Sequence, residues 1–451
     1  MKAVLFILGF ACVWPPMANA RLVYAITDLG TLPGKADSFA YGINNHVQIA
    51  GFSYTVHNGN GVIRACLWDA AGIHDLGTLP GGRSSGAWAI NDRGEVVGWS
   101  YTSSGSEHAC LWDENGAHDL GALPGSDYGS GACGVNNNGQ TVGYAYLSPY
   151  QYHAVLWDSS GIHDLGTLPE GFSSTAVDIN DNRQIVGWSD GYGGRRACLW
   201  DSSGAHDLGA LPTTDWHQSF AQSVNNRGYV VGYSATSDNT ARACLWDNVG
   251  IRNLGTFPGW LNSFGCDIND SGLVVGYVMQ GYTGYGYTHA FVWDGTSLFD
   301  LDTPLGWYSS WAYGINNHGH VVGNSTVAFA GYSHAILWTP MIRVTIDLKP
   351  GEYPNTINLR SKGVVPVAVL SIPGFDADTV DPPTVRFCSA EPLRWHLEDV
   401  DRDSDADLLF YFGAQSLDLN AESTEGTLTG RTTDGDQIVG ADSMRIVSVS
   451  R

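Results

Sequence analysis

Seven copies of one phrase, spaced 43–47 residues apart, fill most of this 451-residue chain, and no other feature limits its fold so strongly. Each copy has an Asp/Asn-Leu pair, starting at Asp28, Asp75, Asp119, Asp164, Asp207, Asn253 and Asp300. Each has an Asn-Asn or Asn-Asp pair after an aliphatic residue, at Asn44, Asn91, Asn136, Asn180, Asn225, Asn269 and Asn316. A Gly follows the next aliphatic run (Gly51, Gly98, Gly143, Gly187, Gly232, Gly276, Gly323), and a Trp ends the third (Trp68, Trp112, Trp157, Trp200, Trp246, Trp293, Trp338). In the second copy the pattern predicts strands over 87–91, 95–100, 108–112 and 117–121, separated by Asn-Asp-Arg-Gly and Glu-Asn-Gly turns. Four antiparallel strands in about 45 residues make one blade of a propeller. A solenoid of the same units is the alternative.

The ends of the array favour the ring. The seventh unit stops after Trp338 without a fourth strand, while residues 22–29 form a lone fourth-strand phrase ahead of the first unit. A seven-bladed β-propeller whose last blade is completed by Leu22–Leu29 has no exposed edges to cap. The repeat markers stop after residue 340, and strand-like runs at 344–348, 364–370, 408–412 and 444–449 predict a smaller β-sandwich over 341–451. The reading is therefore all-β, with a propeller over 21–340. Residues 1–20 read as a signal peptide: Lys2, the apolar run Ala3–Val13, then the small-x-small site Ala18-Asn19-Ala20. No later stretch is apolar enough to span a membrane. Cleavage near Ala20 places the mature protein outside the cell or on its surface.

Phrases such as Asp-Leu-Gly-Thr-Leu-Pro-Gly, Gly-Ile-Asn-Asn and His-Ala-Phe-Val-Trp-Asp (289–294) resemble the HAF family of bacterial extracellular repeats over residues 21–340. The His-Ala-Phe triplet is intact only at His289–Phe291. The resemblance implies a secreted, propeller-like repeat protein and no established activity. The phrases Ile-Asp-Leu-Lys-Pro-Gly (346–351), Pro-Val-Ala-Val-Leu (366–370) and Glu-Asp-Val-Asp (398–401) resemble a C-terminal β-sandwich module of secreted bacterial proteins.

Charge narrows the partners. With 45 Asp+Glu against 22 Lys+Arg the chain carries −23, which argues against nucleic acid and anionic lipid. Cys66, Cys110, Cys198 and Cys244 share the phrase Ala-Cys-Leu-Trp-Asp with Val155, Phe291 and Ile336 at the equivalent place, so they read as buried packing thiols. The recurring histidines before Asp-Leu (His74, His118, His163, His206) and before Ala (His108, His153, His289, His334) read as scaffold hydrogen-bonders. Gly187-Trp-Ser189-Asp-Gly191 spells a nucleophile elbow but lies on a strand end, without the strand–turn–helix that chemistry needs.

Three features carry candidate sites. Asp399, Asp401, Asp403, Asp405 and Asp407 alternate with single residues, so the side chains of Asp399, Asp401, Asp403 and Asp407 with the carbonyl of Asp405 can wrap a Ca2+ ion. Ser404 stands where such loops usually have Gly, and a solvated acidic turn is the alternative. Aromatic residues in the connections between units, among them Trp88, Tyr128, Trp216, Trp260 and Trp307, are expected to project from one rim and grip ligand. They can equally pack between blades. The residue before each Asn-pair aliphatic is small except at Asp178 and Asp267, which places two acids near the central channel. The expected function is non-catalytic binding of an extracellular glycan or protein. The alternatives are a carbohydrate-active hydrolase or lyase using the channel acids, and a structural or adhesive module of the cell surface.

Overall fold

The computed structural model describes residues 23–55, 61–126, 128–191, 193–212, 218–238, 240–281, 287–304, 306–327 and 331–447. The expected signal peptide and Trp216 lie outside these residues. The chain divides into two compact units, Tyr24–Thr339 and one that begins at Pro340.

The first unit is a seven-bladed ring. Six four-stranded antiparallel sheets follow one another, and a seventh begins with Trp307–Ile315, Val321–Val327 and Ser333–Arg343. The fourth strand of that blade is Val23–Asp28, which pairs with the strand holding Ser333. The inner strands of blades 1 to 7 are Asp37–Ile43, Ser85–Ile90, Ser130–Val135, Ser174–Ile179, Ser219–Val224, Asn262–Ile268 and Trp307–Ile315. Each touches the inner strand of the next blade, and the seventh touches the first. The expected closure is observed: Leu29 N donates to Ala335 O at 2.9 Å, and His334 Nδ1 lies 2.9 Å from Asp28 Oδ2.

The repeated residues are the joints of this ring. The Gly of each second strand lies flat against the inner strand. A Cβ on Gly51 or Gly323 would collide with the carbonyl oxygen of Phe39 or Trp311, so lack of space fixes this glycine. A Ser near the start of each inner strand clasps the preceding blade: Ser85 Oγ accepts from Ala65 N at 3.1 Å and donates to Gly77 O at 2.6 Å. The same clasp joins blade 7 to blade 1, where Ala335 N donates to Ser38 Oγ at 2.9 Å. The third-strand Trp is buried between blades, beside Cys66, Cys110 or Cys198 where that thiol occurs. Burial pushes these thiols up to about 12, and all described cysteines are free, as expected of packing residues.

The histidines also fall into place as scaffold. His108, His153, His289 and His334 bond Asp119, Asp164, Asp300 and Asp28, while His74, His118, His163 and His206 bond Asp69, Asp113, Asp158 and Asp201. Ser189 of the apparent elbow is buried and accepts from Leu168 N at 2.9 Å, a packing role shared by Ser100 and Leu79 N.

The second unit has two main sheets around one core, with a short parallel pair, Thr356–Ile357 and Arg445–Ile446, beside them. One runs Thr345–Leu348, Val364–Leu370, Asp407–Gly413, Pro392–Glu398 in spatial order. The other places Met341–Arg343 parallel to Gln437–Ser443, which continues antiparallel through Glu425–Thr432 to Val380–Phe387. Leu348, Val367, Phe387, Phe410, Phe412 and Leu428 fill the space between them.

Candidate functional site in the propeller channel

Every inner strand slips register against its neighbour at the same place in all seven blades: between Ala40 and Gly42, Ala87 and Ala89, Ala132 and Gly134, Ala176 and Asp178, Ala221 and Ser223, Gly265 and Asp267, and Ala312 and Gly314; blade 7 has a second slip, between Trp307 and Ser309. A bulge frees one residue from the ladder and re-aims its side chain. Here the freed residues are Tyr41, Trp88, Cys133, Val177, Gln222, Cys266 and Tyr313, and all seven line one cavity of about 510 Å3. Second-strand Tyr233 and Tyr277 and inner-strand Phe264 complete its wall.

The wall is lopsided. Tyr41 lies 4.6 Å from Trp88 and 4.9 Å from Tyr313, and the chain of rings continues through Tyr277, Phe264 and Tyr233. Across from the Trp88–Tyr41–Tyr313 group stand Cys133, Val177 and Gln222, with Asp178, Ser223 and Asp267 below. Among the described residues no Lys, Arg or His lines the cavity.

Asp178 and Asp267 are near the channel, as expected, and Ser223 connects them. Its Oγ lies 2.9 Å from Asp178 Oδ2 and 2.6 Å from Asp267 Oδ1. A hydroxyl has one hydrogen to donate, so the second contact is satisfied when a carboxyl itself carries a proton. Burial and the neighbouring Asp178 push Asp267 up to about 6, and burial raises Asp178. Backbone amides hold both groups: Ile179 and Val224 donate to Asp178, and Ile268 and Ile315 to Asp267. The acids thus tie blade 4 to blade 5 and blade 6 to blade 7.

At the other end of the channel, where the inner strands stop, two closed belts of hydrogen bonds encircle the axis. In the first, Asn44 Nδ2 donates to Asn91 O, Asn91 to Asn136 O, and so on through Asn180, Asn225, Asn269 and Asn316 back to Asn44 O, each at 2.9–3.0 Å. In the second, the backbone N of Asn45, Asp92, Asn137, Asp181, Asn226, Asp270 and Asn317 each donates to Oδ1 of the next, at 2.8–2.9 Å. These belts rim a smaller pocket of about 180 Å3 that shares Asp178, Ser223 and Asp267 with the large cavity.

The other candidates lie elsewhere. Trp88 is not on a rim loop: it sits in the inner strand of blade 2, because the bulge turns it into the channel. Trp260 is half-buried against Phe257 and His289, and Trp307 packs edge-on to His334, so these two serve the blades. Tyr128 is exposed and lines a cleft of about 390 Å3 with Glu107 and Tyr146. In the acidic loop, the carboxylates of Asp399, Asp401 and Asp403 lie within 4.8 Å of one another. Desolvation and the nearby Asp403 and Asp407 charges raise Asp401. Arg402 and Ser404 take φ of 70° and 83°, the winding that Gly provides in such loops. Asp407 departs from the expected ligand set. It is fully buried, and its two oxygens accept from Ser371 N and Val400 N at 2.8 Å, anchoring the loop.

Of the cavity-lining bulge residues, only Trp88 is visible as a candidate in the sequence. The signal is a single slot, after a nearly constant Ala, that reads Tyr, Trp, Cys, Val, Gln, Cys, Tyr while its surroundings repeat.

A family model described as a protein of unknown function (DUF3466) matches residues 252–333. No curated protein matches the chain. Among solved structures, TolB from Acinetobacter baumannii is 14% identical, with 62% of this chain and 67% of that chain covered and a TM-score of 0.37. A gluconolactonase from Xanthomonas campestris is 10% identical over 70% of this chain and 90% of its own, TM-score 0.33. A mutant of the Aleuria aurantia lectin in complex with alpha-methyl-L-fucoside is 10% identical over 67% and 92%, TM-score 0.32. Among the described residues no helix is long and apolar enough to cross a membrane.

Proposed function

We propose that this is an extracellular, non-catalytic binding protein that holds a glycan in the large channel cavity. The observation that carries this reading is the set of seven bulges: one scaffold delivers seven mostly different side chains to a single space. Flat rings at Tyr41, Trp88 and Tyr313 suit the apolar faces of a sugar, while Gln222 and the carboxylates opposite suit its hydroxyls. A wall that is acidic and, among the described residues, carries no cation favours neutral or amine-bearing sugars over uronates and sulfated glycans. The leader-like N-terminus and the HAF-like phrases support an extracellular location.

Hydrolysis is the weaker reading. The nearest oxygens of Asp178 and Asp267 both touch Ser223 Oγ, so the hydroxyl fills the gap that a glycosidic bond would need. Screening the purified chain on a glycan array, with product analysis of any polymer bound, tests both readings. Binding that Trp88→Ala and Tyr41→Ala abolish supports the cavity. Binding untouched by both variants moves the site elsewhere, and shortened products restore the enzyme.

In the second unit we assign the loop 399–407 to Ca2+, with the Asp399, Asp401 and Asp403 carboxylates and the Asp405 carbonyl as ligands. Millimolar extracellular calcium suits such a site. Calorimetry of the full chain with calcium, beside the Asp401→Asn variant, decides it. Saturable heat in the parent and none in the variant is the expected result.

A further inference from the structure

Pro392–Glu398 is the outermost strand of its sheet: one edge pairs with Asp407–Gly413, and the other pairs with no strand among the described residues. The register sets Trp395 opposite Phe410 and Leu397 opposite Leu408. Opposed residues of an antiparallel pair share a face, so Trp395 and Leu397 lie on the side of the sheet where Phe410 and Leu408 join the core. Yet Trp395 is 42% exposed, Leu397 52%, and the bulged Leu393 66%. The core stops one strand short, and this edge ends in open apolar side chains and free backbone groups. Soluble proteins normally cover or blunt such an edge.

The opposite face of this strand carries charge. Arg394 lies over the Tyr411 ring at 4.2 Å, and Glu398 meets His396 at 3.0 Å; Glu398 remains more than half exposed. In a two-fold antiparallel pairing of this strand with its own copy, opposed residues must share a face, so the axis falls on a residue. With the axis on His396, the two imidazoles meet at the axis, Arg394 of each copy faces Glu398 of the other, and Trp395 faces Leu397. Both ion pairs lie on one face and both apolar pairs on the other. An axis on Arg394 sets two guanidinium groups against each other. An axis on Trp395 sets Arg394 against His396, and one on Leu397 matches His396 with Glu398 but sets the apolar Trp395 against Asp399.

We propose that a second copy of this chain pairs antiparallel along Pro392–Glu398, about an axis through His396. The interface is isologous, as two-fold dimers require. Seven residues per copy bury less than a standard interface, so the dimer is weak and concentration-dependent. Sedimentation velocity of the full chain over a hundredfold concentration range tests it. The parent shifts from monomer to dimer. Arg394→Glu alone and Glu398→Arg alone each abolish the shift, the two together restore it, and Trp395→Ser removes it again. These positions are at the surface, and unchanged melting curves establish that the variants fold. A parent that stays monomeric throughout overturns the proposal and leaves the edge to a strand of another protein. A dimer that survives either single charge reversal, or that the double variant fails to restore, overturns the register.

Discussion

The two ends of the propeller channel are built on opposite rules. Where the inner strands stop, each blade presents the same Asn in the same place, and the seven form one closed belt. Three residues earlier, the bulge residue changes from Tyr41 to Trp88 to Cys133 to Val177 to Gln222. A belt needs an identical donor and acceptor at every junction, because one unmatched group leaves a buried amide unpaired. A bulge residue has left the ladder, so backbone pairing places no demand on it. Sameness holds the ring, and difference makes the cavity selective.

The strongest way to break this contrast is to open the ring. Deleting Val23–Leu29 strips the outer strand from blade 7, exposes an edge, and costs the first unit at least about 5 kcal/mol, a large part of a typical domain's stability. Calorimetry of the truncated chain should show the whole propeller transition lowered. A frayed end on an otherwise unchanged transition would mean that the blades stand independently, as in a solenoid. Next, Asn91→Ala removes the donor to Asn136 O and the acceptor for Arg93 N and Glu95 N. The expected loss is about 2–4 kcal/mol by urea unfolding, with glycan affinity per folded molecule unchanged. Trp88→Ala should do the reverse, costing about 1.5–3 kcal/mol of binding, roughly 10–100-fold, and less of folding. If both variants lose stability and binding in parallel, the two ends are not separable.

The smallest effect is pH-dependent. Asp267 has a folded-state value of about 6, above its ordinary 3.8, so the folded chain holds this proton more tightly than the unfolded chain does. Stability from this group is present at pH 4 and falls as pH rises through 6, by on the order of 1–2 kcal/mol. Comparing urea midpoints at pH 4.5 and 7.5 for the parent and Asp267→Asn isolates it. The variant should lose this fall, and an unchanged difference would remove the shared proton from the account.

The sequence shows the ring plainly, because its joints recur. Gly51 and Asn44 each have six equivalents, and the missing fourth strand after Trp338 points to residues 22–29. The cavity is harder to read for the same reason in reverse. Tyr41, Gln222 and Tyr313 are unlike one another, and only the register slip gathers them. Trp260 and Trp307 look like ligand contacts because they sit in variable connections, yet their rings pack on His289 and His334. Asp407 continues an alternation whose first three members converge, but backbone amides occupy its two oxygens. Alternation fixes where carboxylates stand along a loop, and local backbone donors decide which of them stay available.

The second belt also carries a parity. Its members read Asn45, Asp92, Asn137, Asp181, Asn226, Asp270, Asn317, so each acid lies between two amides whose NH2 groups reach its Oδ2. Two kinds of residue can alternate without fault around an even ring, but around seven positions one pair of neighbours must be of the same kind. That pair is Asn317 and Asn45. Their amide NH2 groups turn away from each other, toward Asp270 and Asp92, so among the described residues only the bond from Asn317 N to Asn45 Oδ1 spans this junction of the belt, with no bond between the two side chains. It is the junction between blade 7 and blade 1, where the ring of repeats closes. The odd blade count thus forces one like pair into this layer, and it falls at the seam, in the blade that Val23–Asp28 completes.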